Sequence, residues 1–284
     1  MVTRARRTSE YMALSLFVGV IILFLQSFTV TEMLIKDPYL RKIAAIVFGV
    51  LRLYAPALIF MKMQKSAGAE IMTPKITKGL SVKNKITLSF AAFAFIFSFG
   101  IMYSAAFPSA AATFNDDNIV FALLTVLGSA VVPAVFEELL YRRLFCAELM
   151  LHGGSFAIII SALLFGLAHF SFYTFPYAFI CGLVLAFVYL KTGSVKYTVA
   201  IHFANNLLGY VCSYAAMRMD PLDYGNAMLL LVIALGVMAL GAVFTLFPDM
   251  RSDSLYERAA VPSSVFLTFP MIVYVICAVL MNFI

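Results

Sequence analysis

The chain is a succession of long apolar blocks joined by short polar loops, and that pattern leaves few folds open. A helix needs about 20 apolar residues to cross the roughly 30 Å hydrocarbon core of a bilayer. Residues 12–30, 42–61, 86–106, 119–147, 156–172, 174–190, 197–216, 226–247 and 264–284 reach or approach that length. Hydrophobic residues make up 63% of the 284 and charged residues 12%, against about 45–50% and about 25% in soluble domains. A globule of this size cannot hide such an excess. A soluble enzyme, a nucleic-acid-binding domain and a disordered chain are excluded. Lipid cannot satisfy the backbone of an open strand, so the blocks are helices. The expected fold is an all-α polytopic transmembrane helix bundle of about eight or nine spans, eight if a short block is re-entrant. It forms a single membrane domain over residues 1–284.

The net charge of +6 reads as membrane orientation, with no need of a nucleic-acid partner. Arg4, Arg6 and Arg7 precede the first span, and Lys62, Lys65, Lys75, Lys78, Lys83 and Lys85 follow the second, whereas the loop PSAAATFNDDN after the third has no Lys or Arg. Positive charge stays cytoplasmic, so a cytoplasmic N-terminus is expected, with Arg41 and Lys42 arguing weakly the other way. The Lys-rich loop also suits anionic membrane lipids, at about 1 kcal/mol per charge. The block after the basic start MVTRARR is too long for a signal h-region and lacks a small-residue cleavage site, so it reads as a retained span. Cys146, Cys181, Cys212 and Cys277 form no CxxC pair and read as core thiols.

Ionisable groups inside a span cost about 2.5–3.5 kcal/mol each on insertion scales and call for a partner or a function. Here they concentrate in three consecutive regions. The fourth span ends VVPAVFEELLYRRLF, with Glu137, Glu138, Arg142 and Arg143; the fifth contains LLFGLAHF, with His169; the seventh begins TVAIHFANNLLGY, with His202, Asn205 and Asn206. Glu138 and Arg142 stand i,i+4 on one helix face and neutralise each other. Glu137 lies about 100° around the helix and is free to point into the bundle. His202 and Asn206 are also i,i+4 and can converge on one point. Pro133 can bend the helix and open backbone carbonyls to a cavity. Arg52, midway along the second span, has no assigned role, and His152 beside Gly153 and Gly154 reads as a loop residue.

A carboxylate with an imidazole can activate water and then protonate a leaving amine. A second His with an Asn amide can donate to a developing oxyanion. Two His and one carboxylate, from Glu137, His169 and His202, could instead hold a metal. No HExxH is present, so any such site is assembled from three helices. Three other readings stand beside such chemistry: groups that only hold the bundle together, a non-catalytic membrane scaffold, and a transporter or proton relay.

EELLYR (137–142), FGLAH (165–169) and HFANN (202–206) resemble, in order, the EExxxR, FxxxH and HxxxN motifs of the CAAX prenyl protease and bacteriocin-processing (CPBP, or Abi) family. YLKTGSVKYTVAIH (189–202) resembles the family's Tyr-x-x-Thr-Gly-Ser approach to the third motif, and the likeness runs over roughly residues 125–212. It implies an intramembrane endopeptidase acting on a membrane-associated peptide or lipidated protein, including prenylated CAAX proteins, with a catalytic core at 119–216. By position, Glu137 would activate water with His169, His202 and Asn206 would stabilise the oxyanion, and Glu138 and Arg142 would support the geometry. The family has been described both as metallo- and as glutamate-dependent, so zinc is a possible cofactor. A bacteriocin self-immunity protein of the same family is the non-catalytic alternative. Arg143 stands where the family often has a small residue, and Tyr141 where it often has Phe. A prokaryotic plasma membrane is the expected location, with the endoplasmic reticulum second. One tension remains: His169 falls late in its span and His202 early in its own, a depth mismatch of about 10 Å at about 1.5 Å per residue.

Overall fold

A computed structural model describes residues 2–70, 80–107, 118–250 and 266–281. Lys75, Lys78 and the stretch PSAAATFNDD lie outside the described residues. Nine helical segments answer the nine apolar blocks: α1 (Val2–Thr29), α2 (Pro38–Ser66), α3 (Val82–Ala106), α4 (Ile119–His152), α5 (Gly154–Leu167), α6 (Phe175–Thr192), α7 (Val195–Ala216), α8 (Pro221–Met250) and α9 (Phe269–Leu280), counted among the described residues. Six are long and apolar enough to cross a bilayer: α1, α2, α3, α4, α6 and α8. The chain is an all-α, multi-pass integral membrane protein.

The other three differ from the expected spans for physical reasons. The 14 residues of α5 and the 12 of α9 extend only about 21 Å and about 18 Å at about 1.5 Å per residue, short of the hydrocarbon thickness. Helix α7 has the length but carries Lys196, His202, Asn205 and Asn206, which lower its hydropathy. Helix α5 ends at Leu167, and His169 just beyond it lines the same cavity as His202 despite the depth mismatch expected from sequence. His169 hangs from the C-terminal turn of a half-span, inside the bundle.

Local sequence explains the joints. Asp37 caps α2, its side chain accepting from the Leu40 N–H at 2.9 Å, with Pro38 in the first turn. Between α6 and α7, Gly193 takes the left-handed conformation (φ 67°) that ends a helix, and the Ser194 side chain accepts from the Lys196 N–H. Thr-Gly-Ser at 192–194 is thus a helix stop followed by a helix start, and it sets the angle at which α7 brings His202 back to the core.

Helix α4 runs through the middle, against α2, α5, α6 and α7. A core of Phe60, Leu140, Tyr141, Phe145, Leu164, Phe165 and Tyr189 joins α2, α4, α5 and α6. Helices α5 and α6 touch at Gly182, where an added Cβ would sit 2.9 Å from the Ala162 Cα. On the outside, α8 exposes Leu229, Leu230, Ile233, Val237 and Phe244, a face suited to lipid. At the far end of α4, His152 is buried with its ring edge-on to Phe156. It is a core residue, correcting the loop reading. Glu148 in the same turns takes Arg4 of α1 at 2.9 Å.

Candidate active site

Helix α4 does not keep the α-helical repeat. Leu127–Val131 and Glu138–Cys146 are π-helical, flanking the α-helical turns Val132–Glu137. Wider π turns are concentrated at functional positions because they swing side chains off the regular faces. Pro133 gives one reason for the first break: it has no N–H for the carbonyl four residues back, which belongs to Ser129. Asn206 of α7 supplies the missing donor, its Nδ2 lying 3.2 Å from the Ser129 oxygen. The carbonyl expected to be freed by Pro133 thus anchors a motif residue.

The two adjacent glutamates are in different states. Glu138 is fully buried, with Oε1 3.1 Å from Arg142 Nη1 and 2.9 Å from His202 Nδ1. Arg142 is buried too, its guanidinium 4.3 Å over the Phe165 ring and Nη2 3.5 Å from the Gly182 carbonyl oxygen. The i,i+4 pair read from sequence is present, with His202 as an unforeseen third member. Glu137 keeps 7% exposure. Its Oε2 is 3.9 Å from His202 Nε2 and has no hydrogen-bond partner among the described residues.

Glu137, His169, His202 and Asn206 all line one cavity of about 340 Å3, walled further by Pro133, Phe165, Tyr177 and Asn205. Glu138 and Arg142 do not line it. They stand behind His202. His169 Nδ1 is 2.9 Å from the Phe165 carbonyl oxygen; with a proton on Nδ1 for that bond, Nε2 is the free lone pair. Phe165 therefore serves three groups, its ring lying edge-on to both histidines and under Arg142. Phe170, next to His169, has φ 49°, a strained setting for a bulky residue.

Two side chains in the cavity wall have no counterpart among the site residues inferred from sequence. The Tyr177 hydroxyl lies 2.9 Å from Asn205 Nδ2 and 3.2 Å from Asn205 Oδ1. Asn205 Nδ2 is in turn 3.4 Å from Asn206 Oδ1. With its carbonyl oxygen held there and one N–H on Ser129, the Asn206 amide has one N–H left for the cavity. Nothing in the sequence around Tyr177 marks it, one tyrosine among 14. Asn205, beside Asn206, could have been found by asking what orients a buried amide. Beyond Tyr177 and Asn205 a wider space of about 550 Å3, lined by Tyr103, Tyr173, Tyr210 and Tyr224, continues outward. Arg143 lies elsewhere, on a largely apolar cavity between α2 and α4.

Among the described residues, no three His, Cys, Asp or Glu side chains form a group able to hold a metal ion. The side chains as placed do not fit a tetrahedral metal site, which needs three protein donors around one point.

Residues 119–208, the start of α4 to the middle of α7, match the family model described as "Type II CAAX prenyl endopeptidase Rce1-like". No curated protein and no solved structure matches the chain. The segment that supplies most of the cavity lining is thus similar to the Rce1-like CAAX prenyl endopeptidases, in agreement with the resemblance of its three motifs.

Proposed function

We propose that the protein is an intramembrane endopeptidase that hydrolyses a peptide bond in a membrane-associated substrate of the prenylated CAAX type. The observation that carries this is Glu137: a nearly buried carboxylate with an unpartnered oxygen, facing an imidazole across a cavity in a segment similar to the Rce1-like endopeptidases. Two atoms 3.9 Å apart can both reach one water at about 2.8 Å. In this reading Glu137 takes a proton from that water, and the hydroxide adds to the scissile carbonyl carbon. The oxyanion receives hydrogen bonds from the free N–H of Asn206 and from His202 Nε2. His202 does this as imidazolium, which balances Glu137, Glu138, Arg142 and His202 to zero net charge in apolar surroundings. The C–N bond breaks as Glu137's proton passes through His169 Nε2 to the leaving amine. Glu138 and Arg142 hold His202 in place, and the catalytic unit is the block from 119 to 216. Arg4, Arg6 and Arg7 support a cytoplasmic N-terminus.

The test is cleavage of a quenched-fluorescent farnesylated CAAX peptide by detergent-purified protein, with and without a zinc chelator. Cleavage that survives the chelator supports the glutamate mechanism. Loss of cleavage that added zinc restores overturns it in favour of a metal, and no cleavage of prenylated or unprenylated peptides overturns the endopeptidase. Two variants probe the amide. Asn206→Ala is expected to lower kcat by about 10²–10³-fold, the usual loss for one oxyanion donor. Tyr177→Phe, which removes only the hydroxyl that holds Asn205, should lower kcat by roughly 3–10-fold, as for one neutral hydrogen bond, at unchanged KM. If Tyr177→Phe shifts KM alone, Tyr177 touches substrate instead of positioning Asn206.

A further inference from the structure

Arg52 is the charge that the mechanism above does not use. It stands midway along α2, partly buried, and among the described residues it makes no hydrogen bond and no ion pair. A cation inside a span with no ion-pair partner is costly and is for that reason a candidate binding residue. Its surroundings say more. Arg52 lines a second, smaller cavity, closed by Leu16 and Val20 of α1, Pro56 of α2 and Tyr274 of α9. Glu137, Phe165 and His169 form its other wall, and the same three residues line the 340 Å3 cavity. The two spaces therefore share a wall that includes Glu137. Helix α1 comes close at this point: a Cβ on Gly19 would lie 3.0 Å from the Arg52 carbonyl oxygen. The free volume beside Arg52 is about 40 Å3, room for one carboxylate group or one or two waters.

We propose that Arg52 binds the free C-terminal carboxylate of the peptide substrate. This rests on the endopeptidase reading and deepens it. An enzyme that acts on a CAAX-type chain end cuts within a few residues of the free carboxylate, at about 3.3–3.6 Å per residue when extended. Such an enzyme has to recognise the chain end, and capture of a terminal carboxylate is a recurrent way to do so. Withdrawing that carboxylate from water into an apolar bundle is costly unless it meets a cation. The guanidinium is the group suited to it, because its planar fork pairs both carboxylate oxygens. The peptide then lies across Glu137 and His169, with the scissile carbonyl on the His202 and Asn206 side and the terminal group on the Arg52 side. Arg52 sets where the chain is cut.

The test compares two peptides identical except for a C-terminal carboxylate or carboxamide. The wild type should favour the acid by about 10–100-fold in kcat/KM, the range of a hydrogen bond to a charged group. Arg52→Gln should bring that ratio close to one, and Arg52→Lys should keep part of it. A general loss of structure lowers both rates and leaves the ratio alone, so the ratio reads recognition. Equal rates in the wild type overturn the proposal, as does a ratio that Arg52→Gln preserves. An equal fall on both peptides with a shifted pH profile overturns it as well, and makes Arg52 a counter-charge for Glu137. Binding of the same two peptides to Glu137→Gln protein gives the ratio without turnover. If the wild type cleaves neither peptide, the endopeptidase reading fails, while the binding ratio still decides Arg52.

Discussion

Glu137→Gln is expected to lower kcat for peptide cleavage by about 10²–10⁴-fold, the contribution of a positioned general base, with KM close to that of the parent. Glutamine keeps the shape and cannot take the proton. The same change should leave the melting temperature in detergent unchanged or higher, because it removes a nearly buried carboxylate whose Oε2 has no hydrogen-bond partner among the described residues. A site that gains stability when its reactive group is removed is the usual trade between function and folding. Glu138→Gln is the control one residue on. It takes the charge out of contacts at 3.1 Å to Arg142 and 2.9 Å to His202, so it should lower activity and melting temperature together. Two neighbouring carboxylates, separated by one α-to-π transition, would then show opposite stability responses. A Glu137→Gln protein that keeps more than about a tenth of the parental kcat would falsify Glu137 as the base, given the size of that term.

The nine apolar blocks were legible because bilayer thickness sets a length scale that hydropathy reads directly. The motif residues were legible because charge is costly in a span and these charges cluster. The ends of helices were harder. Nothing in LAHFSFY signals that α5 stops at Leu167. The stop depends on Phe170 accepting a positive φ, a tertiary constraint with no glycine to announce it. The π-helical runs of α4 were invisible for another reason: over nine residues, a wider turn and a regular one place apolar residues almost equally well. The partners of the motif residues follow from that geometry. Pro133 hinted at a freed carbonyl, but that Asn206 takes it, and that Tyr177 and Asn205 hold the other end of the amide, are facts about how α6 and α7 return to α4. Arg52 could be noticed in the sequence and not placed, since its cavity draws on α1, α2, α4 and α9.

Arg142→Ala is expected to destabilise the protein by about 3–5 kcal/mol, the cost of stranding one member of a buried ion pair. Arg142 and Glu138 are 1% and 0% exposed, so water cannot replace what is lost. The guanidinium also spreads over the Phe165 ring at 4.3 Å and reaches the Gly182 carbonyl oxygen at 3.5 Å, so its removal opens space between α4, α5 and α6 as well. The two contributions separate in a double-mutant cycle followed by denaturation in detergent. With Glu138→Gln already in place no carboxylate is left unpaired, and Arg142→Ala should then cost at least about 2 kcal/mol less than in the parent. Equal costs in both backgrounds would mean that Arg142 acts through packing alone. The distinction bears on catalysis, because Glu138 is what orients His202. If the ion pair carries the coupling, a partly stable Arg142 variant should also lose activity at temperatures where it is still folded, as His202 loses its fixed partner.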